Sequence, residues 1–142
     1  MKSNNLAQLK EWVPGLEEAL NQAMSNHLQL TQGKLVKANP KDTGRMASSW
    51  VIGHNRVNTE TRAKDWAPQG AKKVVVDEYP GKITADGTWY LSNSVQYANK
   101  VAYDPTYAKG GAGGPAWYTT IVNQLQPNFE KQLVRQLRKV KL

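Results

Sequence analysis

Leu6, Leu9, Val13, Leu16, Leu20, Ala23, Met24, His27 and Thr31 fall on one side of a helical wheel, so the chain opens with amphipathic helix. Pro14 interrupts the run. Proline suits the first position of a helix, so the pattern predicts a short helix over 4–13 and a long one over 14–37. Glu17 and Glu18 would then sit in the first turn, where the helix dipole favours negative charge. Gly33 weakens the last turns by about 1 kcal/mol relative to alanine. Pro40 restricts Asn39 to an extended conformation and ends the helix near Ala38. The stretch that follows reads as a hinge leading into a first strand. Asp42 or Thr43 is a natural N-cap, and Gly44 lets the backbone bend or pack closely. Beyond Arg45, Met46 and Trp50 share one face if the turn is helical.

Strand-forming residues dominate 50–57, and 58–71 is a polar loop carrying Trp66, long enough to be functional or mobile. Val74, Val75 and Val76 mark a second strand over 73–77, with a turn at 79–82 and a short strand over 82–85. Asp86-Gly87 is a hairpin signal leading into a strand over 88–93. Helical spacing returns at Val95, Ala98, Val101 and Ala102. The glycine-rich stretch 109–115 separates these from a last helical element over 116–140. Pro127 should kink that element or start a second piece of it. Phe129, Leu133, Leu137 and Val140 form its apolar stripe, with Lys131, Arg135, Arg138 and Lys139 roughly opposite. The expectation is one α+β domain over 1–142: a small antiparallel sheet packed against a long N-terminal helix and a C-terminal helix.

Composition narrows the chemistry. At 142 residues the chain can bury a core of its own. It has no apolar run of about 18 residues to span a membrane, and no apolar N-terminal core of a signal peptide, so a cytosolic origin is expected. Without cysteine there is no disulfide or zinc–thiolate site, and His27 and His54 are too few for a histidine metal cluster. No metal or other cofactor is expected. The 19 Lys and Arg against 11 Asp and Glu give a net charge of +8, which favours a polyanionic neighbour such as DNA or an acidic protein surface.

Asp42-Thr43-Gly44 has a namesake in the aspartic proteases, where paired carboxylates activate water. There it follows an apolar strand; here it follows Asn39-Pro40-Lys41 and precedes Arg45, which would hold the carboxylate ionised. The glycine run lacks the Gly-Lys-Ser/Thr of a phosphate loop, and Ser48, Ser49, Ser92 and Ser94 have no histidine at a triad spacing. No enzymatic activity and no catalytic residue are therefore expected. Among the aromatics, Trp50 and Trp89 read as sheet core. Trp66 and Trp117, flanked by loops, are interface candidates, with Tyr97, Tyr103 and the basic residues Lys131, Arg135, Arg138 and Lys139.

Three blocks carry a family resemblance. Pro40-Lys41-Asp42-Thr43-Gly44-Arg45, continued to Ser49-Trp50, resembles the Pro-Val-Asp-Thr-Gly-Arg hallmark of tailed-phage neck and tail-completion proteins, the HK97 gp10-like group. Trp89-Tyr90-Leu91-Ser92-Asn93-Ser94-Val95-Gln96-Tyr97-Ala98-Asn99-Lys100-Val101 is similar to that group's (apolar)-Tyr-Leu-x-Asn-x-x-x-Tyr-Ala-x-x-(apolar) block, and Gly114-Pro115-Ala116-Trp117 lies near the place of its Pro-Ala-Gly-Met turn. The blocks keep family order over about residues 38–125. Where the family usually shows Leu-Glu-Tyr-Gly, this chain has Val101-Ala102-Tyr103-Asp104, so the acidic residue is displaced and the glycine is gone. The resemblance implies a structural virion protein of a long-tailed phage, made in the host cytoplasm and placed at the head–tail junction. It would form a homo-oligomeric ring, hexameric by preference, that joins connector or stopper, tail terminator and tail tube proteins while genome DNA passes through. A tail terminator ring is the alternative it leaves open, and a basic nucleic-acid-binding module is the alternative from charge.

Overall fold

In the computed structural model the first helix, α1, spans Lys2–Ala38 and so passes through Pro14 instead of beginning there. The residues described are 2–68, 70–104, 106 and 114–140, with only the backbone course given for 2–12. An interior proline removes one helix hydrogen bond and costs about 3 kcal/mol. The apolar positions across it nonetheless stay in phase, Val13 leading to Leu16 and Leu20, as one continuous helix requires. The far end behaves as Pro40 dictates: helix ends at Ala38, and the Asn39 amide donates to Leu35 O at 2.9 Å.

A short 3-10 turn, Ala47–Ser49, leads from the hinge into strand β1, Trp50–His54. Its partner is β2, Trp89–Asn93, antiparallel, with Trp50 opposite Asn93, Ile52 opposite Leu91 and His54 opposite Trp89. Helices α2 (Ala98–Tyr103), α3 (Trp117–Asn123) and α4 (Leu125–Leu137) follow. The fold is α+β, with a two-stranded antiparallel sheet between the long N-terminal helix and the C-terminal helices. One core joins α1 to the hinge, sheet and α2–α3: Leu35, Val36, Met46, Trp50, Val95 and Trp117 are all buried in it. A smaller one gathers Leu28, Ile52 and Ile83, with Tyr79 and Trp89 packed alongside.

Several expected elements come out differently. The first strand stops at His54 instead of running to residue 57, because Asn55 turns into the left-handed region at φ 63°. The Asp86-Gly87 turn forms no hairpin between 82–85 and 88–93. Gly87, at φ 72°, brings Thr88 O to the Asn55 amide at 2.7 Å, so β2 pairs with distant β1 instead. Residues 82–85 stay outside the sheet, although Ile83 is buried and the Ala85 amide donates to Asn21 Oδ1 at 2.8 Å. Residues 73–77 also join no ladder, and side chains hold them in place.

The C-terminal element is two helices, broken at Gln124 rather than kinked at Pro127. Pro127 falls in the first turn of α4, where its missing N–H would have lacked a helix partner anyway. Helix α4 runs antiparallel to α1. The His27 and Phe129 rings meet at 5.3 Å near one end, and a methyl on Gly15 would lie 3.3 Å from Val140 Cγ1 at the other. Its innermost residues are Gln132 and Gln136, not the expected stripe, and Leu137 is 39% exposed. The buried residues of α1 in this stretch, Ala19 and Ala23, are small, so α4 sits close enough to cover its own glutamines. The glycine-rich stretch 109–115 lies mostly outside the described residues.

Candidate functional site

Hydrogen bonds from distant parts of the chain converge on the hinge. Asn39 is fully buried, and its Oδ1 accepts from Trp50 Nε1 at 2.9 Å while its Nδ2 donates to Pro40 O at 2.8 Å. That clamp ties the end of α1 to the start of β1. Neither Asp42 nor Thr43 caps the following turn; the residue before the turn is Met46, which makes no side-chain cap bond. Thr43 Oγ1 instead accepts from the Arg45 amide at 3.1 Å, a local turn of the kind hydroxyls favour, and Asp42 is exposed. Gly44 has φ 88° and its Cα sits against the Lys73 carbonyl, where any Cβ would collide. Met46 and Trp50 do share the buried side, as their spacing implies.

Residues 60–77 fold back over this hinge and are held by two main-chain bonds and a larger set of side-chain bonds. Lys72 N and Lys73 N donate to Asp42 O and Thr43 O at 3.3 and 3.0 Å. Ser48 Oγ accepts from the Val75 amide at 2.9 Å, and Ser49 Oγ accepts from the Arg62 amide at 2.9 Å. Gln32 Nε2 reaches out of α1 to Trp50 O and Asp77 O, at 2.9 and 2.8 Å. Arg45 Nε donates to Arg62 O at 2.8 Å and its guanidinium lies 5.9 Å from the Tyr97 ring. Trp66 lies between two cations, Arg62 at 4.8 Å and Lys73 at 4.2 Å from its ring. The loop over 58–71 is therefore anchored to the hinge at several points.

The hinge residues Pro40, Asp42, Thr43, Gly44, Arg45 and Trp50 are thus brought together, and Trp66 joins them as an anchor of the returning loop. Trp117, expected at an interface, is instead the most buried large side chain, 1% exposed, with Nε1 donating to Val101 O at 3.2 Å. Tyr97 and Tyr103 are exposed, and Tyr103 packs edge-on to Tyr118 at 5.4 Å, where burial first and Tyr103 second push the Tyr118 pKa up. Lys131 and Arg135 are exposed on α4, and Arg138 and Lys139 are exposed in the turn that follows it.

Sequence reasoning missed Gln32, Ser48, Ser49 and Asn93, whose Nδ2 donates to Met46 O at 2.7 Å. Gln32 had a readable signal: it interrupts the apolar row between Leu28 and Val36 at four-residue spacing. The serines gave none, because their partners lie far along the chain.

An apolar groove of about 440 Å³ opens between α1, the sheet and α3–α4, lined by Met24, His27, Trp89, Tyr118, Val122 and Phe129 among others. Burial, and then the charge of Lys34, lower the His27 pKa. Trp89 Nε1 is buried without a partner, with His54 stacked on the ring at 4.1 Å. Among the described residues no group of three or more His, Asp or Glu is placed to hold a metal ion, and no helix is long and apolar enough to cross a membrane. No protein-family model, curated protein or solved structure matches the chain.

Proposed function

We propose that the chain is a structural protein of a long-tailed phage virion, a neck or tail-completion component that acts by binding alone at the head–tail junction. What supports the reading is that the three sequence blocks behind the resemblance meet in one core. Met46 and Trp50 come from the first, Val95 from the second and Trp117 from the third. The Asp-Thr-Gly-Arg stretch serves this construction through backbone and packing. Gly44 seats Lys73, Thr43 turns the chain, and Arg45 ties down the returning loop. The protein would assemble as a ring, a hexamer by preference, on connector or tail proteins, near the genome DNA. Lys131 and Arg135 on α4, with Arg138 and Lys139 in the turn after it, form a charge pattern suited to an acidic partner surface.

The test combines purified full-length chain with tagged connector, terminator and tail tube proteins of the encoding phage, scored by pull-down and light scattering. A defined ring on one of these is expected. Binding to none of them, together with DNA affinity that falls steeply with salt, would replace this reading with the nucleic-acid module. Arg135→Glu with Arg138→Glu should stop heads and tails from joining. Normal joining with altered DNA ejection would place the stripe in the channel.

A further inference from the structure

The returning segment has two unlike sides. Main-chain groups of Lys73, Val75 and Asp77 point into the molecule, to Thr43 O, Ser48 Oγ and Gln32 Nε2. Those of Val74 and Val76 have no hydrogen-bond partner among the described residues. Alternation of this kind is the geometry of a strand, in which successive residues present their N–H and C=O to opposite edges. Val74, Val75 and Val76 are also 37%, 38% and 43% exposed, in a run of the residue type that pairs most readily into sheets. Natural proteins normally block an apolar strand edge with charge, proline or a covering element. Here the charges flank the valines instead, in the order Lys72-Lys73-Val74-Val75-Val76-Asp77-Glu78.

That order reads as its own complement when reversed. We propose that a second copy of this chain pairs with residues 73–77 as an antiparallel strand, on a two-fold axis through Val75. In this register Val75 faces its own counterpart and Val74 faces Val76. Lys73 faces Asp77. Val74 and Val76 then form the hydrogen-bonded pairs, supplying the main-chain groups that are free, while Val75 forms the closer non-hydrogen-bonded pair. Opposite charges directly across an antiparallel pair stabilise it, and like charges there oppose it. Asp77 already lies 3.8 Å from Arg62, and Lys73 lies against Trp66. Lys73 is exposed and the Asp77 side chain is 43% exposed, so both can reach across the pair, whereas Lys72, at φ 53° with its amide on Asp42 O, ends the strand. A register shifted by two residues sets lysine against valine and loses this match.

Such a contact is isologous and closes after two copies. It therefore stands apart from the ring proposed above, which needs a head-to-tail contact elsewhere, and either idea can fail without the other.

Two experiments on the full-length chain test it. The chain has no cysteine, so Val75→Cys introduces a single thiol. On the axis, Cα atoms of a non-hydrogen-bonded pair lie about 4.5 Å apart, inside the range a disulfide spans. Under mild oxidation Val75→Cys should cross-link to dimer at least about tenfold faster than Val74→Cys, while Val74→Cys mixed with Val76→Cys should cross-link well. Equal rates for Val75→Cys and Val74→Cys alone would overturn the proposal. The second experiment leaves the valines untouched. By sedimentation, Lys73→Glu and Asp77→Lys should each weaken the dimer about tenfold, and an equimolar mixture should restore it as a heterodimer. A wild-type chain that stays monomeric at about millimolar concentration, or variants that associate as the wild type does, would also overturn it.

Discussion

Around the hinge, Leu35, Met46, Trp50 and Trp117 are buried together, and the polar groups among them are matched: Asn39 takes the Trp50 indole, and Gln32 takes the Trp50 carbonyl. Where α1 meets α4 the pattern is reversed. Gln132 and Gln136 are inside, Gln132 Oε1 has no partner among the described residues, and Val134 and Leu137 are exposed, as are Leu16 and Leu20 of α1. One region uses its polar groups to fix a single geometry. The other leaves apolar surface uncovered beside an open groove, as a face does when its packing is completed by something else. The difference teaches that the hinge supplies the definition of the fold, while the α1–α4 layer contributes less than its length suggests.

The comparison breaks most visibly at Trp117. Trp117→Ala should cost about 3–5 kcal/mol in denaturant unfolding, since it empties the centre of the main core. An effect below about 1 kcal/mol would mean the hinge core is not the stabilising centre. Next, Asn39→Ala leaves the buried Trp50 N–H without its acceptor and should cost about 1–3 kcal/mol. On the other side, Gln132→Leu removes an unpaired buried oxygen and should raise stability by about 1 kcal/mol. A loss there would show that the glutamine layer is as tightly specified as the hinge.

His27 sharpens the contrast through pH. Burial and Lys34 both disfavour its protonated form, so its pKa lies below 6.5 in the folded chain. The unfolded chain then binds the proton more readily, and the stability contribution is intact above pH 6.5 and lost as pH falls below it. Melting temperature followed downward through this range should fall less in His27→Gln than in the wild type. The smallest effect is expected at Asp42, whose side chain is exposed and caps nothing. Asp42→Ala should change stability by less than about 0.5 kcal/mol, where a capping role would have cost about 0.5–2.

Local chemistry made part of this architecture readable. Pro40 ends α1, Gly44 marks a close backbone approach, Met46 and Trp50 point inward together, and Pro127 announces a second C-terminal helix near its true start. The failures are non-local. Nothing near Val74, Val75 and Val76 says that Ser48 and Gln32 will take the hydrogen bonds of Val75 and Asp77, so a strand with no ladder is unreadable. The hairpin at Asp86-Gly87 failed because the better partner for Trp89–Asn93 was Trp50–His54, far upstream. The inner face of α4 was misassigned because alanines on α1 admit glutamine where the wheel suggests leucine. Trp117 sits beside the glycine-rich stretch in sequence, yet its indole is aimed into the core.

The fit of Gly44 against the Lys73 carbonyl carries a consequence for the order of folding. The two residues are joined only through the long intervening loop and strand β1, so bringing them together costs loop-closure entropy that no local structure offsets. The receiving surface, made by the end of α1 and the turn before β1, has to exist first, because the bonds to Lys72, Lys73 and Val75 all end on it. The valine edge is therefore expected to be set in place late in folding, and only that closure gives it a fixed outward geometry.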